Sequence, residues 1–482
     1  YTPYDPANPL VFPGNVTVLV RVKANPATNT PAGAAKTLTF TANPTSSPAP
    51  AAPAAPATPA PTNPTGTGVN VLINGKEESA GTASTSNRNG QTVITVSVDP
   101  AKVAAKLAEE GPNAVLTIPV PSGSDVVVGE LNGQIVKSME DRQAVLEIRT
   151  DRATYTIPAE QFDIGAISEA LGASDALEDI KVQVEIGQPT EETVQVIENA
   201  AADGTYAIVV PPVEFTVRAE YEGQSVEIAK FTAYVERAIA IPDGVDPDRI
   251  TTGVVFDADG TPRHVPTKIV VIDGKYYAVI NSLTNSAYGV VWNPVEFDDV
   301  ASHWAKDTVN NMGSRMIIAG TGEGRFSPDR DITRAEFAAI IVRALGLGAQ
   351  SGPSAFTDVK ETDWYNGAIR TAVEYGLLSG YADGTFGPND RITREQAMVI
   401  LARAMAVTGL KDGLPDGPAD EVLGAFADAD RASAWAASGI ADSVRAGIVQ
   451  GRDGNLLAPQ DFITRAEAAA LIERLLVKSD LI

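Results

Sequence analysis

The 482-residue chain contains no cysteine and only two histidines, His264 and His303. Disulfides, thiolate metal sites and cysteine nucleophiles are thereby excluded, and outside the cell stability has to come from packing alone. Neither histidine stands in a metal-ligand or triad pattern, so zinc chemistry and triad hydrolysis lack the residues they need. No apolar run approaches the roughly 20 residues that span a bilayer. The opening Tyr1-Thr-Pro-Tyr lacks the basic start and apolar segment of a secretory leader, so the chain is expected to be a mature or truncated product of an exported protein. Basic side chains are also scarce, 37 against 61 acidic, for a net charge of −24. From Phe297 onward there are 18 basic and 26 acidic residues, so the deficit runs through both parts of the chain. Such a field repels nucleic acid and anionic membranes, and neither is expected as a partner. An anionic polymer would be held only by locally placed arginines.

Three stretches precede the most informative part. Residues 1–42 carry two alternating runs, Val16-Thr-Val-Leu-Val-Arg-Val22 and Thr37-Leu-Thr-Phe-Thr41. They are too few for a stable sheet domain and look like the last hairpin of an immunoglobulin-like module. Residues 43–68 hold eight prolines and no charge, which marks an extended linker. Residues 69–295 alternate as strands at Val71–Ile73, Thr92–Val98, Ala144–Ile148, Ile180–Ile186, Phe215–Ala219 and Lys268–Ile272, with helices at Ala101–Glu110 and Thr190–Ala201. One or two mainly β, α+β or sandwich domains are expected there. Asp257-Ala-Asp-Gly260 imitates a calcium loop, but position 12 is Lys268 instead of glutamate, so a polar hairpin turn is the reading. Glu109-Glu110 and Glu191-Glu192 are neighbours in sequence and do not face one another on a helix. No carboxylate pair, no nucleophile with a base and no phosphate loop is found, so neither catalysis nor a cofactor is expected.

From Glu296 to the C-terminus one pattern occurs three times. Trp304, Trp364 and Trp435 are followed at one fixed offset by Gly320, Gly380 and Gly451, and at a second by Pro328, Pro388 and Pro459. At a third fixed offset come Thr333-Arg-Ala-Glu336, Thr393-Arg-Glu-Gln396 and Thr464-Arg-Ala-Glu467. Each of these is a helix capping box, with a threonine hydroxyl for the third helical amide and an acidic or amide side chain reaching back. The following residues keep a helical period: Phe337, Ile341, Leu345; Ala397, Leu401, Met405; Ala468, Ile472, Leu476. Trp304, Thr308 and Met312, like Trp364, Ala368 and Ala372, imply an earlier helix in each unit. Glycine-rich loops join the two helices.

An arginine directly after the cap opposes the helix macrodipole, at about 0.3–1 kcal/mol for an exposed position. Arg334, Arg394 and Arg465 repeat that cost three times, and each is expected beside free helix-terminal amides, a combination suited to an anionic group. Alone, a tryptophan is usually core; at a fixed distance from these arginines it can also stack on a sugar ring at a groove edge. Arg343, Arg403 and Arg474 lie nine residues further on, about 900° of helix, so they should point away from the first set and are read as structural or salt-bridged.

The combination Phe297-Asp-Asp-Val, Trp304, Gly320, Phe326-x-Pro328 and Ile332-Thr-Arg-Ala-Glu336, with its two further copies, closely resembles tandem S-layer homology domains. That resemblance implies an all-α pseudo-threefold triplet, divided as 296–350, 351–410 and 411–482. It also implies non-covalent anchoring of a secreted protein to the cell wall of Gram-positive-type bacteria, with 69–295 as a Paenibacillus-type spacer. The implied partner is a pyruvylated secondary cell-wall polysaccharide carrying a pyruvate ketal on N-acetylmannosamine. Arg334, Arg394 and Arg465 are the implied ligand-binding residues, with Trp304, Trp364, Trp435, Gly320, Gly380 and Gly451 shaping the grooves. The copies are not identical: Leu457 replaces the loop phenylalanine of the third, and the second and third copies stand further apart than the first and second, the extra length falling between Thr408 and Gly424. Alanine at all three arginines is expected to abolish binding and spare the fold. Two alternatives stand beside anchoring of a surface protein. One is the anchor of a glycoside hydrolase whose catalytic module precedes Tyr1, and the other is a self-assembling lattice protein.

Overall fold

In the computed structural model the described residues are 16–20, 36–40, 67–120, 123–204, 206–452 and 455–482. The chain divides into two compact units, Tyr1–Asn63 and Pro64–Ile482. In the first, β1 (Val16–Val20) and β2 (Lys36–Phe40) pair antiparallel with Val16 opposite Phe40. The two alternating runs of the sequence thus form the expected pair. The rest of the immunoglobulin-like reading, and residues 43–66 of the linker, lie outside the described residues.

Between Thr67 and Trp292 sixteen strands form one mixed sheet. Most neighbours are antiparallel, but Gln91–Val98 runs parallel to Val126–Asn132 and Val115–Pro119 runs parallel to Val145–Arg149. Parallel neighbours need crossovers of a dozen or more residues. Helices α1 (Pro100–Glu110) and α2 (Gly133–Glu140) lie in those crossovers, capped by the Asp99 and Asn132 side chains. With α3 (Ile164–Ala170) and α4 (Glu191–Asp203) the region is α+β, around a core that runs from Val71 to Val290. The two ends of the strand path, Pro262–Val265 and Thr267–Ile272, are consecutive pieces of one segment split at Pro266. Proline cannot donate to a ladder, so the segment changes partner there. Asp257–Gly260 is a turn between paired strands Thr252–Phe256 and Pro262–Val265, in keeping with its sequence.

The C-terminal part is helical. Its long helices alternate with shorter ones: α5 (Lys306–Ser314) and α6 (Arg334–Ala344), α7 (Asn366–Glu374) and α8 (Arg394–Val407), then α9 (Ala419–Leu423), α10 (Ala437–Arg445) and α11 (Arg465–Lys478). All three capping boxes are formed, with both hydrogen bonds present at Thr333, Thr393 and Thr464. Every residue of the periodic stripes that follow the caps is buried. The extra length in the third copy folds into a short 3-10 turn and α9, which buries Leu423. Leu457 is as buried as Phe326 and Phe386, so the smaller side chain fills the same kind of place.

The sheet region is docked on this helical part. Tyr234 Oη donates to Leu345 O at 2.8 Å, Arg263 Nη1 to Gly346 O at 2.7 Å, and Arg315 Nη1 to Thr267 O at 3.0 Å. Gly346 has φ +66°, and a Cβ there would lie 2.9 Å from Pro266 Cδ, so glycine is needed for both reasons.

Candidate functional site

The three repeats hold one another in a closed ring. Ile332 N–H donates to Ile463 O (3.0 Å), Ile463 N–H to Ile392 O (3.2 Å), and Ile392 N–H to Ile332 O (3.2 Å). The residues just beyond this ring begin the capped helices, and their amides are not free. Arg334 N–H and Ala335 N–H donate to Asp390 O and Pro388 O of the second copy. Arg394 and Glu395 amides bind Asp461 O and Pro459 O of the third, and Arg465 and Ala466 amides bind Arg330 O and Pro328 O of the first. The third amide goes to the capping threonine in every copy. The expected anion site at helix-terminal amides is therefore corrected: a neighbouring loop already fills those donors.

The arginine side chains cross to the neighbour as well. Arg334 Nε donates to Phe386 O and its Nη2 to Ser379 O, both at 3.0 Å. Arg394 reaches Leu457 O (2.9 Å) and Gln450 O (3.4 Å), and Arg465 reaches Phe326 O (2.9 Å) and Ala319 O (2.6 Å). Aromatic faces back two of them: Arg334 lies 4.7 Å from the Tyr381 ring and Arg465 lies 4.5 Å from Phe326. All three are buried, at 4–5% exposure. Burial presses each below the usual arginine pKa, yet a guanidinium stays charged. This crossing explains a cation in the first helical turn, because the charge leaves its own helix for carbonyls of the next repeat. It also corrects the expectation that alanine at all three would spare the fold, since every copy would lose two inter-repeat hydrogen bonds.

The loops that supply these carbonyls are themselves clamped. Asp299 accepts from Phe326 and Ser327 amides at 2.8 and 2.7 Å, Asp358 from Phe386 and Gly387, and Asp428 from Leu457 and Ala458. Burial works to raise the Asp299 carboxyl, but its two amide donors hold it below the usual range. A Cβ on Gly380 would lie 2.6 Å from Thr385 O and run into the Phe356 ring, so this glycine serves loop packing.

Two grooves open between repeats, each built from three of them. One, a cavity of about 180 Å³, is lined by Arg334 of the first copy, Gly380, Tyr381, Gln396 and Arg403 of the second, and Trp435 of the third. The other, about 150 Å³, takes Arg394 from the second copy, Gly451, Arg452, Glu467 and Arg474 from the third, and Trp304 from the first. The indoles stand out: Trp304, Trp364 and Trp435 are 65, 64 and 60% exposed, so none is a core residue. Arg465 enters the first copy beside Gly320 through its bond to Ala319 O, whereas Trp364 lines neither of the two cavities.

Two of the second set of arginines, Arg403 and Arg474, depart from their expected direction, while each still donates to a backbone carbonyl, Leu377 O and Ile448 O. On one helix, positions nine apart do point in opposite directions, but each groove combines an early arginine from one helix with a late arginine from the next. Arg403 therefore faces the cavity with Arg334, and Arg474 faces the one with Arg394. Arg403 is exposed and donates to Leu377 O at 3.2 Å, and among the described residues no carboxylate pairs with it. The late arginines recur at a fixed spacing in the sequence; nothing local says which helix lies across the groove. A larger cavity of about 820 Å³ lies by α4 and strand Ala207–Tyr221, and it shares no residue with the repeats.

The pattern of the S-layer homology domain matches residues 296–338, 355–398 and 425–469. This chain carries three S-layer homology (SLH) domains. Similar proteins include an exoglucanase, XynX, of Acetivibrio thermocellus, 38% identical over 41% of this chain and 18% of its own length. An amylopullulanase of Thermoanaerobacterium thermosulfurigenes is 34% identical over 51% of this chain and 13% of its own. A surface-layer 125 kDa protein of Lysinibacillus sphaericus is 35% identical over 37% of this chain and 14% of its own. The chain thus spans less than a fifth of the length of these relatives. Its SLH content places it at the bacterial cell surface or cell wall, and no helix among the described residues is long and apolar enough to cross a membrane.

Proposed function

We propose that the SLH triplet anchors its protein non-covalently to the cell wall by gripping a pyruvylated secondary cell-wall polysaccharide in the grooves between repeats. One observation carries this reading: a cavity that brings Arg334, Arg403 and Trp435 together from three successive repeats. Two cations suit the carboxylate of a pyruvate ketal, and an exposed indole suits the apolar face of a sugar ring. The closed ring through Ile332, Ile392 and Ile463 supports treating 296–350, 351–410 and 411–482 as a pseudo-threefold assembly. A single charge-assisted contact is worth roughly 1.5–3 kcal/mol, too little for lasting attachment. The groove adds a second cation and an indole to that contact, and a triplet can offer this where one repeat cannot, because Arg334, Arg403 and Trp435 come from three repeats.

The test is co-sedimentation of the full chain with purified wall polymer, before and after mild-acid removal of pyruvate. Loss of binding on depyruvylation, and a drop of about tenfold for Arg403→Ala, are expected. Equal binding to both polymers would overturn the reading. A second reading concerns what is anchored. Relatives named exoglucanase, amylopullulanase and endoglucanase favour a glycoside hydrolase beyond this chain, whereas the surface-layer relative favours a self-assembling coat.

A further inference from the structure

The three SLH arginines look alike in sequence and differ in one atom's partner. Nε and Nη2 donate to backbone carbonyls of the next repeat in every copy. The remaining nitrogen, Nη1, meets the residue at the third helical position of that next repeat. For Arg465 this is Glu336, whose Oε1 lies at 3.1 Å, and for Arg394 it is Glu467, at 3.4 Å. For Arg334 the corresponding residue is Gln396, and no carboxylate among the described residues pairs with Arg334.

The two glutamates are held from several sides. Glu467 accepts from Thr464 N–H at 3.0 Å and from Arg452 Nη2 at 2.7 Å, besides Arg394. Glu336 accepts from Thr333 N–H at 2.9 Å and pairs with Arg330 as well as Arg465. Formal charge does not separate the grooves, because Arg452 and Arg330 bring a cation along with each carboxylate. What differs is access to the guanidinium. Beside Arg394 and Arg465 an acid from outside must displace a resident carboxylate and approach its negative charge. Beside Arg334 it meets an Nη1 that no carboxylate takes among the described residues, the exposed Arg403, and the side-chain amide of Gln396. That amide's oxygen accepts from Thr393 N–H at 3.2 Å, which leaves its NH₂ as a further donor. The Tyr381 ring, 40% exposed, adds a second aromatic face beside Trp435.

We infer that the residue at the third helical position selects which groove takes an acidic sugar. The groove of Arg334 and Gln396 is the acid site, whereas Glu467 and Glu336 occupy the ligand's place beside Arg394 and Arg465. This inference rests on the anchoring reading above. Because glutamine and glutamate both complete the capping box in this chain, exchanging them keeps the helix start intact.

Isothermal titration of the full chain with the methyl glycoside of pyruvylated N-acetylmannosamine tests it. The unaltered chain should bind one equivalent. Gln396→Glu should weaken that binding at least about tenfold, with an unchanged melting temperature. Glu467→Gln should add a second site, so that the stoichiometry approaches two. Three equivalent sites in the unaltered chain, undiminished binding by Gln396→Glu, or a stoichiometry of one for Glu467→Gln would each overturn the selection rule and leave anchoring intact. No binding by the unaltered chain, with loss of polymer binding as well, would overturn both.

Discussion

Two kinds of buried arginine occupy this molecule. In the sheet region Arg237 is fully buried and ringed by Tyr155 and Tyr288 at 4.8 Å and Phe215 at 5.6 Å. It donates to Val235 O, Thr284 O and Asn285 Oδ1, and no carboxylate among the described residues pairs with it. In the triplet Arg334 uses the same materials, two backbone carbonyls and aromatic faces, but the side chain lines a cavity and no carboxylate among the described residues takes its third nitrogen. The difference lies in closure. Carbonyls and rings can hold a guanidinium out of water at either site; a cage closed on every side gives structure alone, and one edge left open gives a cation fixed in place for a ligand.

The largest effect should come from breaking the closed cage. Arg237→Met strips several carbonyls of their donor and should cost about 3–5 kcal/mol in chemical unfolding, with polymer binding unchanged below the transition. Arg334→Ala should do both things at once, costing about 2–3 kcal/mol and removing polymer binding; retained binding would show that the open edge is idle. Trp435→Ala sharpens the contrast from the other side. The indole is mostly exposed, so stability should move by less than about 0.5 kcal/mol, whereas polymer affinity should fall severalfold through lost stacking. Acid should have the smallest effect. Burial pushes the Glu336 carboxyl up, but the Thr333 amide and the Arg330 and Arg465 guanidiniums hold it below its ordinary value. Its contribution is therefore complete above the unfolded carboxylate range and lost as pH falls through the depressed value. Thermal melts taken from mildly acidic pH down through the carboxylate range should show a shallower decline for Glu336→Gln.

Much of the triplet is legible in the sequence because capping is local. Thr333, Thr393 and Thr464 each carry both halves of the capping box within four residues, and the stripes that follow turn inward as their period demands. In the middle region the strongly alternating segments became strands. The polar segment Lys76–Arg88 did too, although its side chains do not announce it, because partners on both sides supply its hydrogen bonds. Helix α2 escapes a sequence reading for a related reason: eight residues are too short a run for a period to stand out, and its Asn132 cap is itself the last residue of a strand. At the candidate site, the arginines, tryptophans and glycines are legible as a recurring set. Their grouping is not, since one groove draws on residues from 334 to 435.

By itself the sequence determined where the repeats begin, which helical faces are apolar, and that cations recur after every cap. These are properties of spacing along one chain. Only the tertiary structure decided that the cap amides are filled by a neighbouring loop, that Arg403 belongs with Arg334, and that Gln396 leaves one guanidinium open. Each of those depends on which repeat lies across from which, and a distance through space between separate helices is not encoded in the spacing along any one of them.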